Sequence, residues 1–74
     1  MATVGLYYVT VQCTELDTAS KQANGRTFIH TCKVNASSRS SALSLGAGDA
    51  RARYNHHGAT TFIKAKGTSA VKIA

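Results

Sequence analysis

The chain has 74 residues, nine of them lysine or arginine and three aspartate or glutamate, which gives a formal net charge of +6 at pH 7. A chain this short buries only about 60–65% of its unfolded surface, so we expect one small domain over residues 1–74. The sequence has no apolar run near the roughly 18 residues of a membrane span, and its N-terminus lacks a secretory signal pattern. A cytoplasmic location, no membrane contact and reduced cysteines are therefore expected.

The first element is a predicted strand over residues 3–14 (TVGLYYVTVQCT), which are rich in β-branched and aromatic side chains. Strand alternation gives it one apolar face and places Tyr8 on the other. The apolar face carries Tyr7, Val9, Val11 and Cys13. The next residues, 15–25 (ELDTASKQANG), are polar, end in Asn-Gly and are typical of a long hairpin loop.

Residues 26–36 predict a second strand whose inward face meets the helix. That face carries Phe28, Cys32 and Val34, with His30 inward or near the rim. Centring the hairpin on its loop places Cys13 opposite Phe28 and Cys32 opposite Val9. The two sulfur atoms are then several residues out of register, so no disulfide is expected.

Residues 37–54 (SSRSSALSLGAGDARARY) predict a helix, with Ser37 or Ser38 as its N-cap and Gly58 as a stop signal beyond its end. Successive positions about 100° apart give this helix one narrow core face. The face carries Leu43, Ala47, Ala50 and Tyr54, with Gly46 at its edge. Leu45 falls on the solvent side, flanked by Arg51 and Arg53, and these three residues form a candidate partner-binding ridge.

After the helix, residues 59–66 predict a third strand, residues 67–69 a turn, and residues 70–74 a short fourth strand. In that last strand Val71 and Ile73 are expected to point inward and Lys72 outward. The predicted fold class is α+β, in ββαββ order. A three- or four-stranded antiparallel sheet carries one helix packed on one face.

This arrangement predicts an uncovered sheet face that is aromatic and basic. Its candidate partner-binding residues are Tyr8, Lys33, Phe62, Lys64, Lys66 and Lys72, beside Thr10, Ile29 and Thr31. They point away from the helix if Ile63 and Ala65 point toward the core. A register error of one residue at the third strand would instead bring Phe62 into the core, so both placements of Phe62 stay open.

The sequence offers little for catalysis or metal binding. Three scattered acidic residues make no carboxylate pair for acid–base work. Cys13 and Cys32 have 18 residues between them, and the adjacent His56 and His57 do not have the spacing of a zinc site. Gly46-Ala47-Gly48 lacks the ending of a phosphate-binding loop. We therefore expect no enzyme, no cofactor and no metal.

The junction from the second strand to the helix, KVNASSRSSA over residues 33–42, has a Val-x-Ala-Ser strand end running into an alanine-containing helix. It resembles a pattern found in very small phage-encoded proteins. Compact proteins of one sheet and one helix from this source are similar to small inhibitors of host machinery, among them anti-CRISPR proteins. The resemblance implies a protein that works by occupying a surface, in the cytoplasm of a host cell, without catalysis.

Charge, fold and resemblance together favour a small basic binding protein. The leading hypothesis is an inhibitor that blocks a nucleic-acid-handling host complex by binding an acidic protein surface or the nucleic acid itself. The alternative is a regulatory protein that binds nucleic acid directly through the basic, aromatic sheet face. Either a monomer or a homodimer is compatible with the sequence.

Overall fold

A computed structural model describes residues 4–55 and 59–74. The strands are β1 (Gly5–Asp17), β2 (Ala23–Ala36) and β3 (Thr61–Lys72), and the helix α1 (Arg39–Tyr54) lies between β2 and β3. The strands form one antiparallel sheet in the order β2-β1-β3. The predicted α+β class is confirmed. The order is ββαβ, however, so the predicted fourth strand is wrong.

The β1–β2 hairpin has the register expected from the sequence. Cys13 pairs with Phe28, Val9 pairs with Cys32, and both cysteines are free thiols. The predicted long loop is wrong, because Leu16 pairs with Ala23 and only residues 18–22 connect the strands. The polar residues on either side of this short connection extend the two strands.

The core lies between the sheet and α1 and consists mainly of small side chains. Its buried members come from all four elements: Val9, Val11, Cys13, Ala36, Ala42, Ala50, Ile63 and Ala70. Tyr7, Phe28, Cys32 and Val34 pack against them, which confirms the inward faces predicted for β1 and β2. None of the described helices is long and apolar enough to cross a bilayer.

The helix begins one residue after its N-cap. The Ser38 hydroxyl accepts a hydrogen bond from the Ser41 backbone N–H at 3.1 Å, so Ser38, not Ser37, is the N-cap. The helix ends at Tyr54, and the N–H of the following Asn55 donates to the Arg51 carbonyl at 2.9 Å. The predicted stop signal at Gly58 lies outside the described residues.

The predicted core face of α1 is confirmed in part, because Ala42 is also fully buried and Tyr54 is 37% exposed. Ala47 and Ala50 are buried, Leu43 packs against the core, and Leu45 is 50% exposed. Gly46 is fully part of the buried face, where a β-carbon would lie 3.1 Å from the Val9 β-carbon. The helix therefore approaches β1 more closely there than any residue larger than glycine allows.

The third strand continues through the predicted turn at residues 67–69. Val11 pairs with Gly67 but the preceding Thr10 pairs with Ser69, so one residue is inserted as a bulge. A β-carbon on Gly67 would lie 2.7 Å from the Leu43 carbonyl oxygen, so glycine here lets α1 lie directly on β3.

The bulge reverses the predicted orientation of the last residues of β3. Ala70 is buried, whereas Val71 and Ile73 are 55% and 48% exposed. Lys72 pairs with Tyr7 on the helix side of the sheet, and its Cε is the nearest atom to a β-carbon built on Gly5. The predictions that Val71 and Ile73 point inward and that Lys72 belongs to the uncovered face are both wrong.

Candidate functional site

The sheet face opposite α1 is the largest candidate surface, and it is called the uncovered face below. Strand register and burial place the following residues on it: Tyr8, Thr10, Gln12, Thr14, Ile29, Thr31, Lys33, Phe62, Lys64, Lys66, Ser69, Val71 and Ile73. Within residues 4–55 and 59–74, the single helix packs on the other side. The uncovered face is therefore open to a partner.

The charge on the uncovered face has one sign. Lys33, Lys64 and Lys66 are all exposed there. Alternation from the buried Cys13 places Glu15 and Asp17 on the helix side of β1, and the third acidic residue, Asp49, belongs to α1. In the described part of the chain, the ion pairs join Glu15 to Arg26 and Asp49 to His30, and none involves these lysines. Their positive charge is thus available to an anionic partner.

The apolar and basic side chains of the uncovered face are interleaved. Tyr8 is 41% exposed and lies between Lys33 on β2 and Val71 on β3. Lys66 pairs with Gln12, which lies four residues beyond Tyr8 on β1. Four residues of a strand span about 13 Å. Ile29, which is 60% exposed, pairs with the same Gln12 from the β2 side, and Phe62 lies beyond Lys64 on β3. Apolar side chains and lysines are therefore neighbours along the whole face.

The other predicted partner-binding residues divide into three groups. Phe62 is half-buried and pairs with Leu16 at the far end of the uncovered face, so of the two placements left open by the sequence the one outside the α1 core cluster is found. Lys72 is exposed on the opposite side of the sheet, as described above. Leu45, Arg51 and Arg53 are exposed on α1.

The predicted helix ridge is less continuous than the uncovered face. Leu45 lines an open groove of about 530 Å³ together with Val4 and serines of the β2–α1 junction. Arg51 lies six residues further along α1, a rise of about 9 Å. Leu45 therefore belongs to a serine-rich groove at the start of α1, and the arginines belong to its last turn.

A second candidate site lies under α1, at a cluster that the sequence analysis did not identify. His30 is 8% exposed, and its Nε2 lies 2.8 Å from Asp49 Oδ2. Its Nδ1 lies 3.4 Å from the Tyr54 hydroxyl. The His30, Cys32 and Asp49 ligand atoms all lie within 4.8 Å of one another. These four residues are called the His30 cluster below.

Local structure explains how the His30 cluster forms. His30 and Cys32 are two residues apart on β2, so both side chains point toward α1. Tyr54 is fixed by an edge-to-face contact with Phe28, with ring centroids 4.8 Å apart, and by a similar contact with His30 at 5.4 Å. Asp49 reaches the cluster from the half-exposed side of α1.

The electrostatics of the His30 cluster hold Cys32 in its neutral form. Burial raises the pKa of the Cys32 thiol, and the neighbouring Asp49 carboxylate raises that pKa further by repelling the thiolate and accepting its hydrogen bond. Both ring nitrogens of His30 have partners, Asp49 and Tyr54. His30 is therefore not placed as a base for Cys32, and the cluster lacks the geometry of nucleophilic catalysis.

The sequence contained a signal for this cluster that the zinc-spacing argument overlooked. The zinc spacing was judged on Cys13, Cys32, His56 and His57, and these two histidines lie outside the described residues. His-x-Cys on one strand face was a shorter-range pair. Asp49, the third residue near this pair, is brought there by the packing of α1 on β2, which the sequence pattern does not show.

The uncovered face and the His30 cluster are the surfaces from which a function can be argued, because similarity supplies none. No protein-family model, no curated protein and no solved structure matches this chain significantly.

Proposed function

We propose that this chain is a small basic binding protein that inhibits a nucleic-acid-handling host complex by covering an acidic surface on it. The observation that supports the proposal is the uncovered face, an exposed sheet surface with three lysines and no acidic residue. A patch of one sign attracts a patch of the opposite sign and raises the rate of encounter.

The composition of the uncovered face suits a protein partner. Tyr8, Val71 and Ile73 supply exposed apolar surface at one end, and each is at least 41% exposed. Specific interfaces combine an apolar centre with a polar rim, and tyrosine is enriched at their centres. Since the side chains project from paired strands, little ordering of the backbone is needed on binding.

The inhibitory part of the proposal is supported by the resemblance of residues 33–42 to small phage-encoded proteins. Those residues connect β2 to α1 and include the N-cap Ser38. An inhibitor of this kind acts by occupying a surface in the host cytoplasm, and it needs no catalytic group.

A second candidate function is direct binding of nucleic acid, and one contact favours it. Tyr8 is flanked by Lys33 in the neighbouring strand, so a base can stack on the ring while the ammonium group meets a phosphate. Among the described residues, however, Tyr8 is the one aromatic residue of the uncovered face that is exposed, since Phe62 is half-buried. Stacking platforms for single strands use several such rings.

Paired charge reversals test which surface binds. Lys64→Glu with Lys66→Glu alters the uncovered face, and Arg51→Glu with Arg53→Glu is the matched change on α1. Each protein is immobilised and exposed to a nuclease-treated lysate of host cells, and captured proteins are quantified by mass spectrometry. We expect a component of a nucleic-acid-handling complex to be captured by the wild type and the arginine variant and lost with the lysine variant, because each reversal places like charges in contact.

The thermal stability of both double variants should stay close to that of the wild type, because exposed charges contribute little to folding. Loss of capture is then not a result of unfolding. Capture that survives the lysine reversal but not the arginine reversal assigns the interface to α1 and contradicts the proposed surface.

Fluorescence anisotropy with a labelled single-stranded oligonucleotide tests the second function. Phosphate contacts predict a log–log loss of affinity with salt at a slope of about −0.7 per neutralised phosphate. Tight oligonucleotide binding with this slope, abolished by the lysine reversal, favours direct nucleic-acid binding over the inhibitor.

A further inference from the structure

The His30 cluster brings three different metal-ligating atoms together. A nitrogen, a sulfur and a carboxylate oxygen lie within 4.8 Å of one another, with the closest pair 2.8 Å apart. Bond lengths of 2.0–2.3 Å to a tetrahedral zinc ion put ligand atoms about 3.3–3.6 Å apart. The observed distances between the ligand atoms, from 2.8 Å to at most 4.8 Å, include that range. Movements of the side chains alone are therefore enough to admit an ion.

The histidine is already oriented for such a role. Its Nδ1 faces the Tyr54 hydroxyl at 3.4 Å, and its Nε2 faces the Asp49 carboxylate. When Nδ1 carries the proton and donates it to the Tyr54 oxygen, the Nε2 lone pair is free for a cation. Metal-ligating histidines usually have such a partner on the second ring nitrogen.

The surroundings of the cluster leave room for a fourth ligand. The Asp49 side chain is 50% exposed and Cys32 is half-buried, whereas His30 is buried. Water can therefore reach a cation from the Asp49 side. A thiolate and a carboxylate together cancel a charge of +2, so binding leaves no uncompensated charge under α1.

We propose that His30, Cys32 and Asp49 bind a divalent zinc-type cation, with Tyr54 as the residue that orients His30 and with water in the fourth position. Binding displaces the Cys32 thiol proton to solvent. The imidazole proton, which the contact with Asp49 holds on Nε2, is replaced by one on Nδ1 that is donated in a hydrogen bond to the Tyr54 oxygen, so the histidine stays neutral. Nε2, Sγ and a carboxylate oxygen then bond to the ion. The mixed donor set favours Zn²⁺ and Co²⁺ over Mg²⁺ and Ca²⁺, which prefer oxygen ligands. The ion would join α1 to the edge strand β2.

The test is a titration of the reduced, metal-free protein with Co²⁺, which replaces zinc and absorbs visibly in tetrahedral sites. We expect a thiolate-to-cobalt charge-transfer band and the d–d bands of a tetrahedral ion, both removed by stoichiometric Zn²⁺. Added Mg²⁺ should not remove them. A parallel thermal unfolding scan should show a melting temperature that rises with zinc concentration, because the ion binds only the folded state.

Variants identify the ligands. Cys32→Ser should lose the charge-transfer band, and Asp49→Asn, at a half-exposed position that leaves folding intact, should weaken Co²⁺ binding and remove the zinc-dependent rise in melting temperature. Tyr54→Phe should weaken binding about tenfold, because it removes the hydroxyl that orients the ligating histidine. Cys13→Ala and His56→Ser with His57→Ser are the controls and should keep the bands, with folding checked by circular dichroism.

Several results would overturn the assignment. They are the absence of a charge-transfer band in the wild type, a band that persists in Cys32→Ser, and unchanged affinity in Asp49→Asn. Loss of the band in the His56 and His57 double variant would move the site to those histidines. Because the wild type and Asp49→Asn both stay folded, these outcomes are independent of any loss of stability in the cysteine variants.

Discussion

Two glycines of α1 show how closely the helix packs on the sheet. Gly46 is buried, and a β-carbon there would lie 3.1 Å from the Val9 β-carbon and 3.3 Å from Val11 Cγ2. At Gly48 the nearest atom to such a β-carbon is the flexible end of Arg51, at 3.8 Å. The same substitution therefore has opposite consequences at positions two residues apart.

Gly48→Ala should stabilise the protein by about 0.5–1 kcal/mol, because alanine favours the helix over glycine. Gly46→Ala gains the same helix preference but forces β1 and α1 apart, an overpacking that costs about 1–3 kcal/mol. Urea unfolding of the two variants measures both changes. Equal stabilisation by the two alanines would mean that α1 does not rest on Val9.

The two cysteines make the protein sensitive to alkaline pH. Burial raises the pKa of the Cys13 thiol, and burial and Asp49 raise that of Cys32, above the ordinary value of 9.0. The unfolded chain therefore releases these protons at a lower pH than the folded chain. Their contribution to stability is complete below the ordinary pKa and is lost as pH rises through the folded values.

We expect the free energy of unfolding to fall as pH is raised from about 8 to about 10, and to fall less in Cys13→Ala and Cys32→Ala. All other groups are common to the three proteins, so the difference between the curves isolates the thiols. The measurement is denaturant unfolding at a series of pH values. Parallel curves for wild type and variants would show that the thiols have no raised pKa in the fold.

At the scale of the elements, Asn55 joins the end of α1 to β3. Its Oδ1 accepts a hydrogen bond from the Ile63 N–H at 2.7 Å, and its Nδ2 donates to the Ile63 carbonyl at 3.4 Å. Since Ile63 is 5% exposed, its backbone has little access to water as a replacement partner. This side chain fixes where β3 starts relative to the helix.

Asn55→Ala should cost about 1–3 kcal/mol, the penalty for unsatisfied buried backbone groups. Asn55→Asp should restore part of this loss, because the carboxylate still accepts from the Ile63 N–H. Asn35→Ala, at an exposed position of β2, is the control and should cost less than about 0.5 kcal/mol. Chemical denaturation ranks the three variants, and an Asn55→Ala no worse than the control contradicts the role of this residue.

Strand alternation predicted the faces of β1 and β2 because both strands alternate regularly from Tyr7 to Cys13 and from Phe28 to Val34. The error lay in β3, where Gly67-Thr68-Ser69 has the composition of a turn but forms a bulge. Glycine is found both in turns and in bulges. Which of the two forms here depends on the partner strand β1 and on the helix that packs on it. One inserted residue then reversed the expected sides of Val71 and Lys72.

The candidate sites were predictable to different extents. Tyr8, Lys33, Lys64 and Lys66 share a face because the period of a strand is a local property. The His30 cluster needed the position of Asp49 over β2, which depends on how α1 packs. Local periodicity carries no information about such a contact.

At the scale of the whole molecule, charge is distributed unevenly between the two sides of the sheet. The helix side carries all three acidic residues together with the arginines and Lys72, whereas the uncovered face carries lysines alone. The net charges of the two sides are nevertheless similar, because the five cations of the helix side exceed its three acidic residues by two and the uncovered face has three lysines. The difference is that no acidic residue on the uncovered face offsets its lysines, so the field there has one sign and attracts anionic partners.

The claim that the uncovered face binds the partner can be tested by comparing the five lysines of the chain in one experiment. Reductive methylation with mass spectrometry compares the reactivity of each lysine in the free protein and in complex with the partner identified by the charge-reversal capture. The account predicts that Lys33, Lys64 and Lys66 are protected, whereas Lys72 on the helix side and Lys21 in the hairpin connection keep their reactivity. Protection of Lys72 or Lys21 with full reactivity at Lys64 and Lys66 would contradict the uncovered face as the binding surface.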